Sequence, residues 1–315
     1  MSKKKLITFG IPCYNEELNV SLAYAALKKI ADKNKNYLYE YVFVDNGSTD
    51  STKNEILKLT KKNKNVIGVF LSRNFGPESS AQAIVDLSNG DAMVGFECDM
   101  QDPPELIPEF IKKWEEGFDL VIGVRIKTEE NILWSSARKA YYRIFRKISN
   151  IDIPVDAGGF GLLSRKALDA IKQLHEKYRF YRGIRAWIGF KTAYVKYQRR
   201  ERKLGKSSYK IQDYITYALR SFIGFSYLPL NLTIYFGVLL VVVSMVIVLF
   251  SLYNLILYGT AINSMVAEIF LITFFGGMQF LAISIIGKYI EVIIEETKNR
   301  PMYVIEEIVN KRNQK

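Results

Sequence analysis

Between Arg220 and Glu268 the chain carries no Lys, Arg, Asp or Glu, and between Glu268 and Lys288 it again carries none. Leu230 to about Leu252 and Val266 to about Gly287 each supply the roughly 20 apolar residues that cross a hydrocarbon core. Two membrane spans are therefore predicted; the competing reading, two buried helices of a soluble core, fits poorly with so long an uncharged run. The short loop Tyr258–Met265 has no positive charge whereas both outer flanks do, so the positive-inside rule puts both termini in the cytoplasm. Glu268 falls near the outer mouth of the second span, where a carboxylate still reaches water.

The remaining sequence is rich enough in apolar residues for a real core, at 49% of 315 residues overall. A net charge of +12, from 44 Lys and Arg against 32 Asp and Glu, is compatible with nucleic acid, anionic lipid or a phosphorylated substrate. Position decides between them. Asn131–Ser149 interleaves Arg138, Lys139, Arg143, Arg146 and Lys147 with Trp134, Tyr141, Tyr142 and Phe145, a composition suited to a membrane surface. Basic aromatic segments that flank spans suit anionic lipid and a phosphate headgroup, and no nucleic-acid partner is expected. Cys13 and Cys98 form no C-x-x-C pair, which argues against a disulfide framework or zinc site. Leu6–Cys13 is too short for a secretory signal, so the N-terminal region should stay in the cytoplasm.

Up to about Val124, short apolar runs alternate with amphipathic segments. Leu6–Pro12, Tyr41–Asp45, Val66–Ser72, Ala92–Glu97 and Leu120–Val124 read as buried parallel strands. Glu17–Ala31, Ser51–Lys62, Ser79–Ser88 and Glu105–Glu116 read as helices, with apolar residues three and four apart and Ser, Asp or Pro near their starts. The alternation predicts a doubly wound α/β domain with ligands at the carboxyl ends of its strands. Phe190–Lys203 reads as an edge strand, and Ile211–Tyr227 as a helix approaching the bilayer. The expected organisation is a catalytic domain over 1–210, a juxtamembrane amphipathic helix over 211–228, a two-helix transmembrane unit over 229–290 and a cytoplasmic tail over 291–315.

Carboxylates gather where strands should end: Asp45-Asn46-Gly47-Ser48-Thr49-Asp50, then Glu97-Cys98-Asp99-Met100-Gln101-Asp102, and Asp152 with Asp156. In an extended segment Glu97, Asp99 and Gln101 point to one side, offering three oxygen ligands of the kind Mg2+ or Mn2+ takes beside a diphosphate. Alone, an acid-x-Asp is a weak signal, more often a solvated turn. Its place at the fourth strand end strengthens it.

Several motifs in one order go further. Ile11-Pro12-Cys13-Tyr14-Asn15-Glu16-Glu17, Val44-Asp45-Asn46-Gly47-Ser48-Thr49-Asp50, Leu71-Ser72-Arg73-Asn74-Phe75-Gly76 and Asp99-Met100-Gln101-Asp102-Pro103-Pro104-Glu105-Leu106 resemble motifs of the family 2 inverting glycosyltransferases. Arg179-Phe180 to Arg182-Gly183, Ala186-Trp187-Ile188-Gly189-Phe190 and Arg202-Lys203-Leu204-Gly205-Lys206-Ser207-Ser208-Tyr209 resemble its polyprenyl-phosphate branch, which includes dolichyl-phosphate mannose synthase and bactoprenol glucosyltransferases. The likeness runs over nearly the whole chain, through the paired spans to Arg300-Pro301.

The resemblance implies a GT-A, Rossmann-like α/β catalytic domain followed by two transmembrane helices. The implied activity is transfer of a sugar, with inversion, from a nucleotide-sugar to a polyprenyl phosphate such as undecaprenyl phosphate. The implied donor is UDP-linked, such as UDP-glucose or UDP-N-acetylhexosamine, and the product a lipid-linked sugar for cell-surface glycans. It further implies that Pro12, Tyr14 and Glu16 line the nucleotide pocket with Asp45 and Asp99, that Asp45 accepts from the base, and that Glu97, Asp99 and Gln101 hold Mg2+ or Mn2+. Arg202, Lys206 and Ser207 would meet phosphate, and Asp99 and Asp156 would serve catalysis. Location in the inner membrane and a homotetramer assembled through the spans are also implied.

Departures from the branch pattern fall at the site itself. Asp45-Asn46 replaces Asp-Asp, Glu97-Cys98-Asp99 replaces Asp-Ala-Asp, and Pro77-Glu78-Ser79-Ser80 replaces Lys-Glu-Ala-Ala. Asp156-Ala157-Gly158-Gly159-Phe160-Gly161 replaces Asp-Ala-Gly-Asp-Phe-Arg, so Gly159 stands where the family has a carboxylate. A phosphate monoester is mostly dianionic at neutral pH and needs no base to attack, whereas a hydroxyl does. That favours a lipid phosphate acceptor, with catalysis by positioning and by stabilisation of the leaving diphosphate. The alternative is a catalytically degraded relative that binds nucleotide-sugar or lipid as a membrane partner. A processive polysaccharide synthase is a poorer match, since Arg185-Ala186-Trp187 is all that remains of the expected Gln-x-x-Arg-Trp.

Overall fold

The computed structural model describes residues 4–126, 157–177, 179–200, 227–259 and 265–310. The first half alternates strictly: β1 (Leu6–Cys13), α1 (Val20–Lys33), β2 (Leu38–Asp45), α2 (Thr52–Lys62), β3 (Val66–Leu71), α3 (Pro77–Leu87) and β4 (Ala92–Gly95). A 3-10 turn (Pro104–Leu106) leads into α4 (Ile107–Glu115), then come β5 (Leu120–Arg125), β6 (Ala157–Ser164), α5 (Arg165–Gln173), α6 (Tyr181–Trp187) and β7 (Thr192–Tyr197). Two long helices, α7 (Leu228–Tyr258) and α8 (Met265–Thr297), precede a last strand, β8 (Ile305–Val309).

The strands form one sheet in the order β7-β5-β6-β4-β1-β2-β3-β8. The expected strands and helices of the first half are present, and β1 to β4 pair in parallel as their continuous apolar runs require. The sheet is nevertheless mixed. β6 enters between β4 and β5 and runs antiparallel to both, so β5 keeps the direction of β1 to β4 but pairs in parallel only with β7, the edge strand expected near residue 190.

Alternation along β1 divides the core. Ile7, Phe9 and Ile11 face α1 and α4, meeting Val20, Ala23, Leu27 and Phe110 in one layer. On the other face Val42, Val44, Ile67 and Val69 pack with Ala83 and Ile84 of α3 and Leu168 and Ile171 of α5. Gly10 faces α3, where a Cβ would come within 2.2 Å of the Ile84 Cγ2. Only glycine allows that helix to lie so close to the sheet.

The helices α7 and α8 follow other rules. α7 has a proline in its first turn and ends at Gly259 in the left-handed region, φ 67°, whose N–H caps the Leu255 carbonyl. At 1.5 Å per residue the pair run about 46 and 50 Å, longer than the roughly 30 Å hydrocarbon core. Leu230–Tyr258 and Phe274–Thr297 are long and apolar enough to cross a membrane, and none of either apolar window is buried against protein. A soluble chain rarely exposes apolar surface on that scale.

The segment after α8, expected as a tail, is part of the sheet. β8 pairs antiparallel with β3, the partner of Val309 being Gly68. Ser79 Oγ donates to the Met302 carbonyl at 2.9 Å, Tyr303 OH to Asp86 Oδ2 at 2.7 Å, and the Asn310 amide to the Thr60 carbonyl at 2.7 Å. Lys53 bridges Glu306 and Glu307 at 3.2 and 3.4 Å. An otherwise open β3 edge is thereby covered.

Candidate active site

The carboxyl ends of β4, β1, β2 and β3 lie side by side, and three asparagines tie the loops beyond β1, β2 and β3 together. Asn15, at φ 54°, donates its N–H to the Ser48 hydroxyl at 2.9 Å and offers its Oδ1 to the Thr49 N–H at 2.8 Å. Asn46, buried, donates from Nδ2 to Asn74 Oδ1 and to the Gly76 carbonyl, each at 3.1 Å, and accepts from the Phe75 N–H at 3.0 Å. Asn74 Oδ1 in turn accepts from the Gly76 N–H at 2.8 Å. Gly47, at φ 68°, is forced by the same crowding: a Cβ there would sit 2.5 Å from the Arg73 backbone. An aspartate at position 46 has no donor for Asn74 or Gly76, so Asn46 has a structural reason.

Asp45 is buried beneath this junction, and its Oδ1 accepts both the backbone N–H and the hydroxyl of Ser48. Burial raises its carboxyl above the ordinary range, against the opposing pull of those hydrogen bonds. Pro12 and Tyr14 are half-buried at the end of β1, with Pro12 opposite Val44 of β2. Glu16, half-buried, accepts from the Asn19 amide at 2.6 Å and steadies the start of α1. Cys13 and Cys98, both buried thiols, meet in the floor between these loops, where burial, first, and the neighbouring Cys98 raise the pKa of Cys13.

Beyond β4 the chain turns instead of running on as the extended segment that the ligand spacing requires. Residues 98–99 form the turn and Met100 takes φ 59°. Gln101 stays close to this turn: its backbone N–H donates to Asp99 Oδ1 at 3.1 Å and its side-chain amide to the Arg200 carbonyl at 3.2 Å. Glu97 and Asp99 do converge, on a residue outside the predicted site. Arg199, just beyond β7, places its guanidinium 3.0 Å from Glu97 Oε2, 3.5 Å from Asp99 Oδ2 and 3.9 Å from Asp102 Oδ1. Asp102 is wholly buried, and its Oδ1 accepts from Tyr197 OH at 2.5 Å and has Arg125 at 3.9 Å. Burial, then the charge of Glu97, push its carboxyl up to about 6.

Gly159, exposed on β6, faces the same turn. A Cβ on it would lie 3.5 Å from Glu97 Oε1, an ordinary contact, so the space opposite Glu97 is what the glycine leaves open. Arg185 donates to the neighbouring Gly158 carbonyl at 2.6 Å. Arg179, one of the motif residues, is buried and donates to Gln82 Oε1 at 2.6 Å, a role in packing rather than at the strand ends. Asp152, Asp156, Arg202, Lys206 and Ser207, the basic segment 131–149 and residues 211–226 of the expected juxtamembrane helix lie outside the described residues.

Among the described residues no group of three His, Cys, Asp or Glu side chains forms a metal cage. Two carboxylates at an open strand end are what Mg2+ or Mn2+ uses when substrate phosphates complete its shell. The donor set fits an ion held jointly with a diphosphate, and the guanidinium already seated there shows that the pocket accommodates positive charge.

The family profile described as "Glycosyl transferase family 2" matches residues 8–172. The chain is 35% identical to the uncharacterized glycosyltransferase YkcC of Bacillus subtilis, covering 99% of this chain and 98% of that one. The putative glycosyltransferase CsbB of the same organism is 36% identical over 97% of this chain and 92% of its own. The prophage bactoprenol glucosyl transferase homolog of Escherichia coli is 32% identical over 96% of this chain and 99% of its own.

Proposed function

The chain belongs to glycosyl transferase family 2, and from that premise we propose that this glycosyltransferase moves a sugar from a nucleotide-sugar to a polyprenyl phosphate at a membrane surface. The observation that carries the acceptor is the full-length likeness to a bactoprenol glucosyl transferase homolog, which takes in the apolar helix pair as well as the catalytic sheet. A bactoprenol-type acceptor reaches the enzyme only within a bilayer, and α7 and α8 supply the means to meet it there.

In this reading the donor's base and ribose lie against Pro12 and Tyr14, and Asp45 meets the base with the oxygen that Ser48 leaves available. Glu16 acts indirectly, by fixing the first turn of α1. The diphosphate lies over the turn 97–102, where Glu97 and Asp99 would hold Mg2+ or Mn2+. That ion would supply charge neutralisation for the leaving diphosphate. The lipid phosphate attacks the anomeric carbon opposite the leaving group, so configuration inverts, and the anionic nucleophile requires no base. Arg202, Lys206 and Ser207 are proposed to hold phosphate and Asp156 to help position the acceptor. The donor is proposed to be UDP-linked and the lipid undecaprenyl phosphate, the product serving surface glycans.

The helix pair is proposed to span the inner membrane with the catalytic sheet and both termini on the cytoplasmic side, and exposed apolar faces of α7 and α8 are available for assembly as a homotetramer. Both β7 and β8 belong to one sheet, so the helices between them must leave and return on the same side. This supports a hairpin of two spans.

The test is turnover of a nucleotide-sugar panel by protein in detergent, with undecaprenyl phosphate and Mg2+ or Mn2+, following glycolipid by mass. Glycolipid from one donor establishes the transfer and names the sugar. Folded protein that binds nucleotide yet forms no glycolipid from any donor would favour the degraded, binding-only relative instead.

A further inference from the structure

We propose that Arg199 is a tethered cation, which neutralises the acidic turn before the divalent ion is bound and then pairs with the donor diphosphate once the ion holds Glu97 and Asp99. The assignment rests on reading this turn as the diphosphate site, but its first half stands on geometry alone.

The guanidinium bridges Glu97 and Asp99 at 3.0 and 3.5 Å, and these are the carboxylates an ion would need. Both partners cannot hold them at once. Arg199 is also poorly satisfied where it lies: its Nε is buried and has no hydrogen-bond partner among the described residues, and the nearest Asp102 oxygen is 3.9 Å away. A buried donor without a partner weakens the seat it occupies.

Departure of Arg199 does not strip Asp102 of its partners. Asp102 keeps the Tyr197 hydroxyl at 2.5 Å and the Arg125 guanidinium at 3.9 Å. The backbone beside Arg199 is held independently, since the Arg200 N–H donates to the Gln101 carbonyl at 2.9 Å and Arg200 pairs with Glu105 at 2.9 Å. The side chain is therefore free to swing while its root stays fixed over the turn. A planar guanidinium displaced from carboxylates is well shaped to take two phosphate oxygens. The diphosphate is the anion that arrives at that spot.

The experiment uses full-length protein in detergent micelles, comparing wild type with Arg199→Gln and Arg199→Lys. Mn2+ alone is titrated first, with free ion read by electron paramagnetic resonance; UDP and GDP are then titrated at saturating Mn2+ by calorimetry. Removing the competing charge should tighten Mn2+ binding by about tenfold or more in Arg199→Gln, while nucleoside diphosphate binding at saturating Mn2+ weakens by a similar factor. Arg199→Lys, which keeps the charge without the fork, should fall between, and it carries the comparison if the glutamine variant does not fold.

Opposite-signed changes are the signature. A purely structural ion pair predicts that both affinities weaken together, and that outcome, or no change in either, overturns the proposal. Wild-type protein that binds neither nucleoside diphosphate overturns the reading of the turn as a diphosphate site and the second role of Arg199 with it, while the Mn2+ titration still decides the first.

Discussion

Asn46 Nδ2 lies 3.1 Å from Asn74 Oδ1, and through that bond the loop after β2 holds the loop before α3 in place. The geometry needs a donor at position 46. In Asn46→Asp a carboxylate would face Asn74 Oδ1 and the Gly76 carbonyl, all acceptors. Chemical denaturation should register a loss of about 1–3 kcal/mol, the cost of buried polar groups left unpaired. A variant as stable as the parent would show that the asparagine is incidental.

Gly159→Asp brings a second carboxylate against Glu97, because the new Cβ starts 3.5 Å from Glu97 Oε1. Donor turnover is expected to drop by about tenfold or more through like-charge repulsion, with little effect on folding. In a double-mutant cycle with Glu97→Gln, which itself costs turnover, the double variant should lose less than the product of the two single losses. Strict additivity of the two changes would argue that the positions do not interact.

Asp99→Asn keeps the size of the side chain and removes its charge. Metal-dependent turnover should fall by about a hundredfold or more while melting temperature and micelle incorporation stay near those of the parent. Unchanged turnover across a Mn2+ titration would refute the metal assignment.

On the proposed role of Asp45 as acceptor for the base, nucleotide binding should depend on pH. The ionised form would be the acceptor, and burial raises its pKa above that of an ordinary carboxylate. UDP affinity should be constant at neutral pH and weaken as pH falls through the raised pKa, at a higher pH than a solvent-exposed carboxylate would give. Calorimetry on Asp45→Asn should show weaker binding with that acid limb removed.

Truncation after Arg300 removes β8 and uncovers β3. The shortened protein should aggregate or run as large species by size exclusion in detergent, since an open strand edge pairs with other chains. Asn310→Ala is the milder version; it leaves the Thr60, Asn63 and Val66 carbonyls without their shared donor and should lower stability by about 1 kcal/mol.

The parallel half of the sheet is legible in the amino-acid sequence. The β1 to β4 strands are unbroken apolar runs buried on both faces, and their alternation with α1 to α4 leaves few other arrangements. The motif residues at the strand ends stand out because they sit where such a sheet binds ligands. Three features are hidden for physical reasons. β6 reads Ala-Gly-Gly-Phe-Gly-Leu-Leu-Ser, and its glycines blur the strand pattern. β8 reads Ile-Glu-Glu-Ile-Val, a polar edge strand whose partner lies more than two hundred residues earlier in the chain. Arg199 resembles one more cation in a basic stretch; the signal that could find it is its distance of two residues from the end of an alternating strand, which puts it at the same rim as Glu97 and Asp99.

The place of β8 also bears on how the protein is made. A ribosome emits residues 6–71 early, yet β3 gains its outer neighbour only when residues 305–309 emerge, after both apolar helices have been synthesised. Until then the nascent catalytic unit carries a raw strand edge, and closure of the sheet waits on synthesis of both helices. On the proposed two-span arrangement, maturation of the enzyme would be coupled to insertion of α7 and α8, and chains that fail to insert would present to quality control an edge that never closes.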